Sequence, residues 1–241
     1  MFFKQFISFF DIIRGEGDIM LVFGKNVLYE LDRKLIKKVY VSRKDYLDYL
    51  QKNNIKYDLV DNFILDKMVK GNHQGIVIET FDYEYKKIDD VQGDLVVILD
   101  HLSDPHNFGA IIRTCECMGV KSIIIPKDRS VLVNDTVYKT SVGAINNVDI
   151  IMVTNLINAI KYLKDHNYFV YCADMDGEDY KHINYAPKKA LIIGSEGDGV
   201  SNLVKKNADV VVSLPMKGKI NSLNASVSAG ILLYEMGNYN E

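Results

Sequence analysis

Short apolar runs of strand length punctuate the second half of the chain: LVVIL (95–99), SIIIP (122–126), VDIIMV (148–153), YFVYCA (168–173), ALIIG (190–194) and VVVSL (210–214). Each is apolar throughout instead of alternating, and helical stretches separate them, which predicts a mostly parallel sheet buried on both faces. Ligands of such sheets bind beyond the carboxyl ends of the strands, so the residues after each run are where chemistry is expected. Residues 20–82 predict a smaller α/β unit. It has strands VYVS (39–42), YDLV (57–60) and GIVIE (75–79), a helix over Lys44–Asn53 with Tyr46, Leu47 and Leu50 on one stripe, and a short helix from Asn62 to Val69. Residues 83–94 are charged, lack a clean period and contain Gly93, and read as a linker to the larger domain, 95–241.

Composition narrows the class. Of 241 residues, 48% are hydrophobic and 25% charged, which is ordinary for a folded globular chain. No apolar run approaches the roughly 18 residues that span a bilayer, so no membrane partner is expected. Three cysteines (Cys115, Cys117, Cys172) without zinc spacing fit a reducing, cytoplasmic compartment and no metal site. The net charge of −3 does not advertise nucleic-acid binding. Locally, Arg33, Lys34, Lys37, Lys38, Arg43 and Lys44 concentrate in one stretch, either a solvated face or a phosphate-contacting patch. Residues 1–19 are interrupted by Lys4, Asp11 and Arg14 and do not form a signal peptide. RGEGD (14–18) back-translates to a purine-rich tract containing GGAG, as a ribosome-binding site would, so Met20 is the expected start and 1–19 an extension that is not translated.

Three strand-end motifs carry candidate chemistry. LDHLSDPHNFGAIIRTCECMG (99–119) leaves a strand, turns through Asp104-Pro105 and enters a helix near Asn107 with Ile111, Ile112, Cys115 and Met118 on its buried stripe. Asn107 is either an N-cap or a site residue; Arg113, just off the stripe, is either a surface charge or a guanidinium reaching back over the strand ends. LIIGSEGDGVS (191–201) runs into Gly194 and a three-glycine loop that lets backbone approach a ligand, with Glu196 inside it. It is neither a Walker loop nor a dinucleotide fingerprint. LPMKGKINSLNASVSAGILLYE (214–235) ends a strand at Leu214, and Ser222 opens a helix with Leu223, Val227, Ile231 and Tyr234 on one stripe. Ala225, Ser226, Ser228, Ala229 and Gly230 permit close helix packing within the chain or across a dimer, and Ser222 and Asn224 are caps or site residues.

In this order and spacing the three motifs resemble those of the SpoU (TrmH-like) RNA ribose 2'-O-methyltransferases of the SPOUT class, over about residues 20–237 and including SVGA (141–144). VFGKNVLYEL (22–31) and HQGIV (73–77) are most similar to the bacterial 23S rRNA guanosine 2'-O-methyltransferase branch, which carries an L30e-like RNA-binding domain before the catalytic one. The resemblance implies an α/β knot, a deep trefoil in which the C-terminal helix threads a loop, a homodimer, and S-adenosylmethionine as cofactor without a metal. It implies that Gly194, Leu214 and Leu223 bind the cofactor and that Asn107, Arg113, Glu196, Ser222 and Asn224 are catalytic. Cys115 and Ala225 depart from the family's usual alanine and valine as packing substitutions. The expected reaction is methylation of a ribose 2'-hydroxyl of rRNA. Methylation of a tRNA guanosine, thiopeptide-resistance rRNA methylation and an inactive RNA-binding relative are the alternatives.

Overall fold

The computed structural model describes residues 20–31, 33–80, 83–219 and 222–237; the 1–19 extension lies outside them. The chain forms two compact units, one ending at Glu84 and the other beginning at Tyr85.

The first unit is built on a four-stranded sheet of order β1-β4-β2-β3, from β1 (Met20–Phe23), β2 (Ile36–Val41), β3 (Tyr57–Leu59) and β4 (Ile76–Thr80). Helices α1 (Lys25–Glu30), α2 (Leu47–Lys52) and α3 (Asn62–Met68) connect them. β4 is central and antiparallel to both β1 and β2. Every residue of β4 is buried, as a strand covered on both faces must be. Phe23, Tyr40, Leu65 and Val77 form one core cluster. The helix expected over Lys44–Asn53 is a 3-10 turn (Lys44–Tyr46) running into α2.

The second unit is a six-stranded, all-parallel sheet of order β10-β8-β9-β5-β6-β7. Its strands are β5 (Leu95–Asp100), β6 (Ser122–Pro126), β7 (Asp149–Val153), β8 (Phe169–Asp179), β9 (Lys189–Gly194) and β10 (Val210–Ser213). Between them run α4 (Pro105–Cys117), α5 (Asp135–Ser141), α6 (Leu156–Asp165) and α7 (Asn202–Lys205), and α8 (Ala225–Gly237) follows. One face packs Val96, Ile98, Ile124, Ile151 and Ile192 against Leu156, Ile160, Leu163 and Val204 of α6 and α7. Helix α4 packs against α5 and α8. Gly109 makes the α4–α5 approach possible, because a Cβ there would collide with Thr140.

Two stretches differ from the sequence reading. β8 runs on to Asp179, because Glu178 and Asp179 resume pairing with Val212 and Ser213 after a break in register. A Cβ on Gly177 would stand 2.6 Å from the Val211 carbonyl carbon, so only glycine fits there. Of the stretch read as a linker, the part from Tyr85 belongs to the second unit. Lys86 N donates to Ile150 O (2.9 Å), and Met152 N to Lys86 O (3.0 Å).

Candidate active site

All six strands point the same way, so the loops after β5, β9 and β10 emerge at one end of the sheet. β9 and β5 are neighbours, with Asp100 opposite Gly194, whereas β8 separates β9 from β10. Gly194 and Leu214 therefore stand at the same end of the sheet, two strand positions apart, with β8 between them.

Asn107 does not cap its helix. Asp104 does, accepting from His106 N at 3.0 Å, and Pro105 occupies the first helical position, where its missing N–H costs nothing. Asn107 is thus left buried in the first turn, and its Nδ2 donates to Glu196 Oε1. This bond joins the first motif to the second. Glu196 itself is exposed. Its loop is pinched by reciprocal backbone bonds between Ser195 and Gly199 (3.2 and 3.1 Å), and a Cβ on Gly194 would collide with the Gly199 backbone. That contact is why the first glycine is required.

Asp100, which the sequence reading passed over, anchors the far side of the same loop. It is 2% exposed; its Oδ2 accepts from Ser201 N (2.7 Å) and its Oδ1 bonds His101 Nδ1 (2.5 Å). The available signal was a lone carboxylate ending an otherwise apolar strand. His101 adopts φ 56°, a left-handed conformation that brings its ring back over Asp100.

Arg113 lies six residues beyond Asn107 on α4, about 9 Å along the axis. It is exposed, and among the described residues it makes no hydrogen bond or salt bridge. Asn224 is the cap of α8: its Oδ1 accepts from Ser226 N (2.9 Å), Ser226 Oγ (2.6 Å) and Val227 N (3.4 Å). Ser222 does not open the helix, which starts at Ala225; Ser222 and Leu223 are exposed in the loop before it. Leu223, Val227, Ile231 and Tyr234 are 40, 49, 37 and 60% exposed, and α8 instead buries Ala225, Ala229, Leu232, Leu233 and Met236. Because α8 is apolar nearly all round, periodicity alone could not choose its buried face. Among the described residues no hydrogen bond links Arg113, Ser222 or Leu223 to the Asn107–Glu196 pair.

In the first unit, several of the clustered cations form ion pairs with acidic residues of the same unit. Lys37 pairs with Glu79 (2.9 Å), Lys38 with Asp58 (2.6 Å) and Arg43 with Asp45 (2.5 Å). Lys37 and Lys38 are therefore largely neutralised as a phosphate patch.

Comparison with known proteins matches two family models to the two units. The SpoU rRNA Methylase family model covers residues 94–234, and the model for RNA 2'-O ribose methyltransferase substrate binding covers 21–86. A Bacillus subtilis (strain 168) relative, named for the TrmH family of tRNA/rRNA methyltransferases, is 39% identical over 233 residues, 89% of this chain and 94% of the relative. A Staphylococcus haemolyticus relative of the same name is 39% identical over 237 residues, 91% of this chain and 95% of its own. Among solved structures, the SpoU methyltransferase AviRb from Streptomyces viridochromogenes in complex with AdoMet superposes with TM-score 0.81 at 19% identity, covering 92% of this chain and 90% of that one. An AdoMet-bound rRNA methyltransferase from Sinorhizobium meliloti gives 0.78 at 21% identity, covering 92% and 87%.

Proposed function

The chain belongs to the SpoU rRNA methylase family, and we propose that it transfers a methyl group from S-adenosylmethionine to a ribose 2'-hydroxyl of structured RNA, a guanosine of 23S rRNA. The observation that carries this reading is the Asn107–Glu196 hydrogen bond, which assembles two separated motifs at the strand ends. The residues fit the cofactor. A Cβ at Gly197 or Gly218 would meet nothing within 4 Å, so backbone on both flanking loops is open to a ligand. Leu223 presents an exposed apolar side chain, and Glu196 brings a negative charge suited to a cationic sulfur. Gly194, Leu214 and Leu223 hold the cofactor, largely through backbone groups.

S-adenosylmethionine supplies an activated methyl on a positively charged sulfur. The protein has to align the attacking oxygen and take its proton. Arginine does not deprotonate in proteins, so Arg113 holds the RNA phosphate and stabilises charge developing on the 2'-oxygen. Glu196 takes the proton directly or through water, while Asn107 fixes the orientation of its carboxylate. Asn224 has its Oδ1 committed to the α8 cap, which leaves its Nδ2 amide to act with Ser222 in orienting the ribose.

Residues 20–82 choose the RNA, and the unit that begins at Tyr85 carries the chemistry in the cytoplasm. The active form is a homodimer, supported by the exposed Val227–Ile231–Tyr234 stripe. The second unit is a trefoil knot. In support, β10 lies at the sheet edge, yet the helix after it returns to α4 near the sheet centre. The test is methyl transfer to 23S rRNA, 16S rRNA and tRNA in separate reactions, followed by mapping. Modification of one 23S guanosine ribose is expected; exclusive modification of tRNA overturns the rRNA assignment.

A further inference from the structure

The first unit exposes a phenylalanine on a short helix where Asp61, Asn62, Asp66 and Lys67 are exposed as well. Phe63, on α3, is 64% exposed, and Lys67 Nζ stands 4.2 Å from its ring centroid. Neighbouring bonds fix where it sits. Asn62 Oδ1 accepts from Ser42 Oγ at 2.5 Å, and Ser42 N donates to Gly75 O at 3.0 Å, which holds the start of α3 at the end of β2. The next residues along the chain from Ser42, Arg43 and Lys44, are both exposed. The result is a flat aromatic surface with a cation on the ring and further basic side chains at the same end of the sheet.

An exposed phenylalanine contributes little to the core, and its ring offers a partner only a π-face and apolar contact. Unpaired nucleobases fit that chemistry, since every base has a π-face, and lysines beside the ring match the phosphates that accompany a base. We propose that Phe63 is a stacking platform for an unpaired base of the substrate RNA, with Lys67 and Lys44 meeting the adjacent phosphates. This rests on the RNA methyltransferase reading above and locates where the first unit grips its substrate. Lys67 occupies one face of the ring, and the base stacks on the other.

The chain contains no tryptophan, so Phe63→Trp makes a single fluorescent reporter at this position. Its emission is measured in the full-length protein during titration with 23S rRNA and tRNA transcripts, beside Phe63→Ala and wild type. Quenching that saturates with binding is expected for Phe63→Trp, together with near wild-type affinity. Phe63→Ala should weaken binding of the methylated RNA by about 5- to 150-fold, the range for loss of one stacked base. The salt slope should stay unchanged, because no charge is removed, and so should thermal stability and S-adenosylmethionine affinity. Lys67→Gln should instead flatten the salt slope by about one contact.

Phe63→Ala with affinity within twofold of wild type, on an RNA that wild type methylates, overturns the platform and leaves the methyltransferase reading standing. Wild type that neither binds nor methylates any of these RNAs overturns both. A tryptophan emission already shifted to the blue without RNA, with Phe63→Ala altering sedimentation, shows the ring covered by protein and overturns the proposal in favour of a protein contact.

Discussion

Replacing Asn107 separates the two tasks that the first motif performs. The side chain is buried in α4 but does no capping, so Asn107→Ala leaves the helix start with Asp104 intact and removes one bond, that to Glu196. A hydrogen bond to a charged group contributes about 1.5–3 kcal/mol. Glu196 is exposed and can turn to water, which places the loss at the low end, about 1.5 kcal/mol, or roughly tenfold in the population of correctly aimed carboxylate. Turnover with RNA saturating should therefore fall about tenfold, with thermal stability nearly unchanged. Asn107→Asp should do worse. It sets two carboxylates in contact, worth up to about 4 kcal/mol of repulsion at 4 Å in a partly screened site, and turns the Glu196 carboxylate away from its aimed position. The assay is initial-rate transfer of a labelled methyl group to RNA. Asn107→Ala turning over within twofold of wild type would refute the assignment of Asn107 as the group that aims Glu196.

Arg113→Ala should leave S-adenosylmethionine affinity by calorimetry nearly intact while cutting methyl transfer at least a hundredfold, and Arg113→Lys should rescue little because the planar fork is lost; near wild-type turnover in the lysine variant would show that charge alone suffices. Lys189 is 1% exposed with no hydrogen-bond partner for Nζ among the described residues, and burial pushes its pKa down from the usual lysine value. Lys189→Met should stabilise the fold by about 1–3 kcal/mol at pH 7 in urea titrations. The advantage should shrink as pH rises through the lowered folded pKa toward 10.5, since wild type then sheds the buried charge. Ile231→Lys on the exposed face of α8 should shift sedimentation at micromolar concentration from dimer to monomer. Finally, Cys115 and Cys172 are buried, and burial pushes both thiols up, Cys172 to about 12 with Asp174 adding to the effect, whereas Cys117 is exposed. Thiol titration of the native protein at pH 8 should count one reactive cysteine, rising to three in denaturant.

The parallel sheet was legible because its strands are apolar on both faces, a pattern that few other structures need. The six strands lie where the runs lie, to within a residue or two, except that β8 continues through DMDGED (174–179), a stretch too acidic to read as a strand. There pairing with β10 decides the conformation, and that partner is distant in sequence. Asn107 and Glu196 stood out as strand-end candidates in two separate motifs, and a hydrogen bond joins them. The competing cap role of Asn107 could be settled only once Asp104 was seen to hold the helix start. Asp100 was missed because its meaning comes from Ser201, 101 residues away. The buried face of α8 was not legible for a different reason: the helix has small residues on one side and large apolar ones on others, and the choice between them depends on what α4 presents. The charge cluster Arg33–Lys44 illustrates the same limit, since Glu79 and Asp58, which neutralise Lys37 and Lys38, arrive from other strands.

Transfer of a methyl group to a ribose oxygen leaves a chemical signature in the RNA product. A 2'-O-methyl group blocks alkaline cleavage of the following phosphodiester, so the product of ribose methylation survives hydrolysis as a dinucleotide. Unmodified 23S rRNA transcript is incubated with the full-length protein and methyl-labelled S-adenosylmethionine, then hydrolysed with alkali and separated by size. Label is expected in dinucleotides and should be absent when Glu196→Ala replaces wild type; label in mononucleotides, the mark of base methylation, would show that the ribose is not the acceptor.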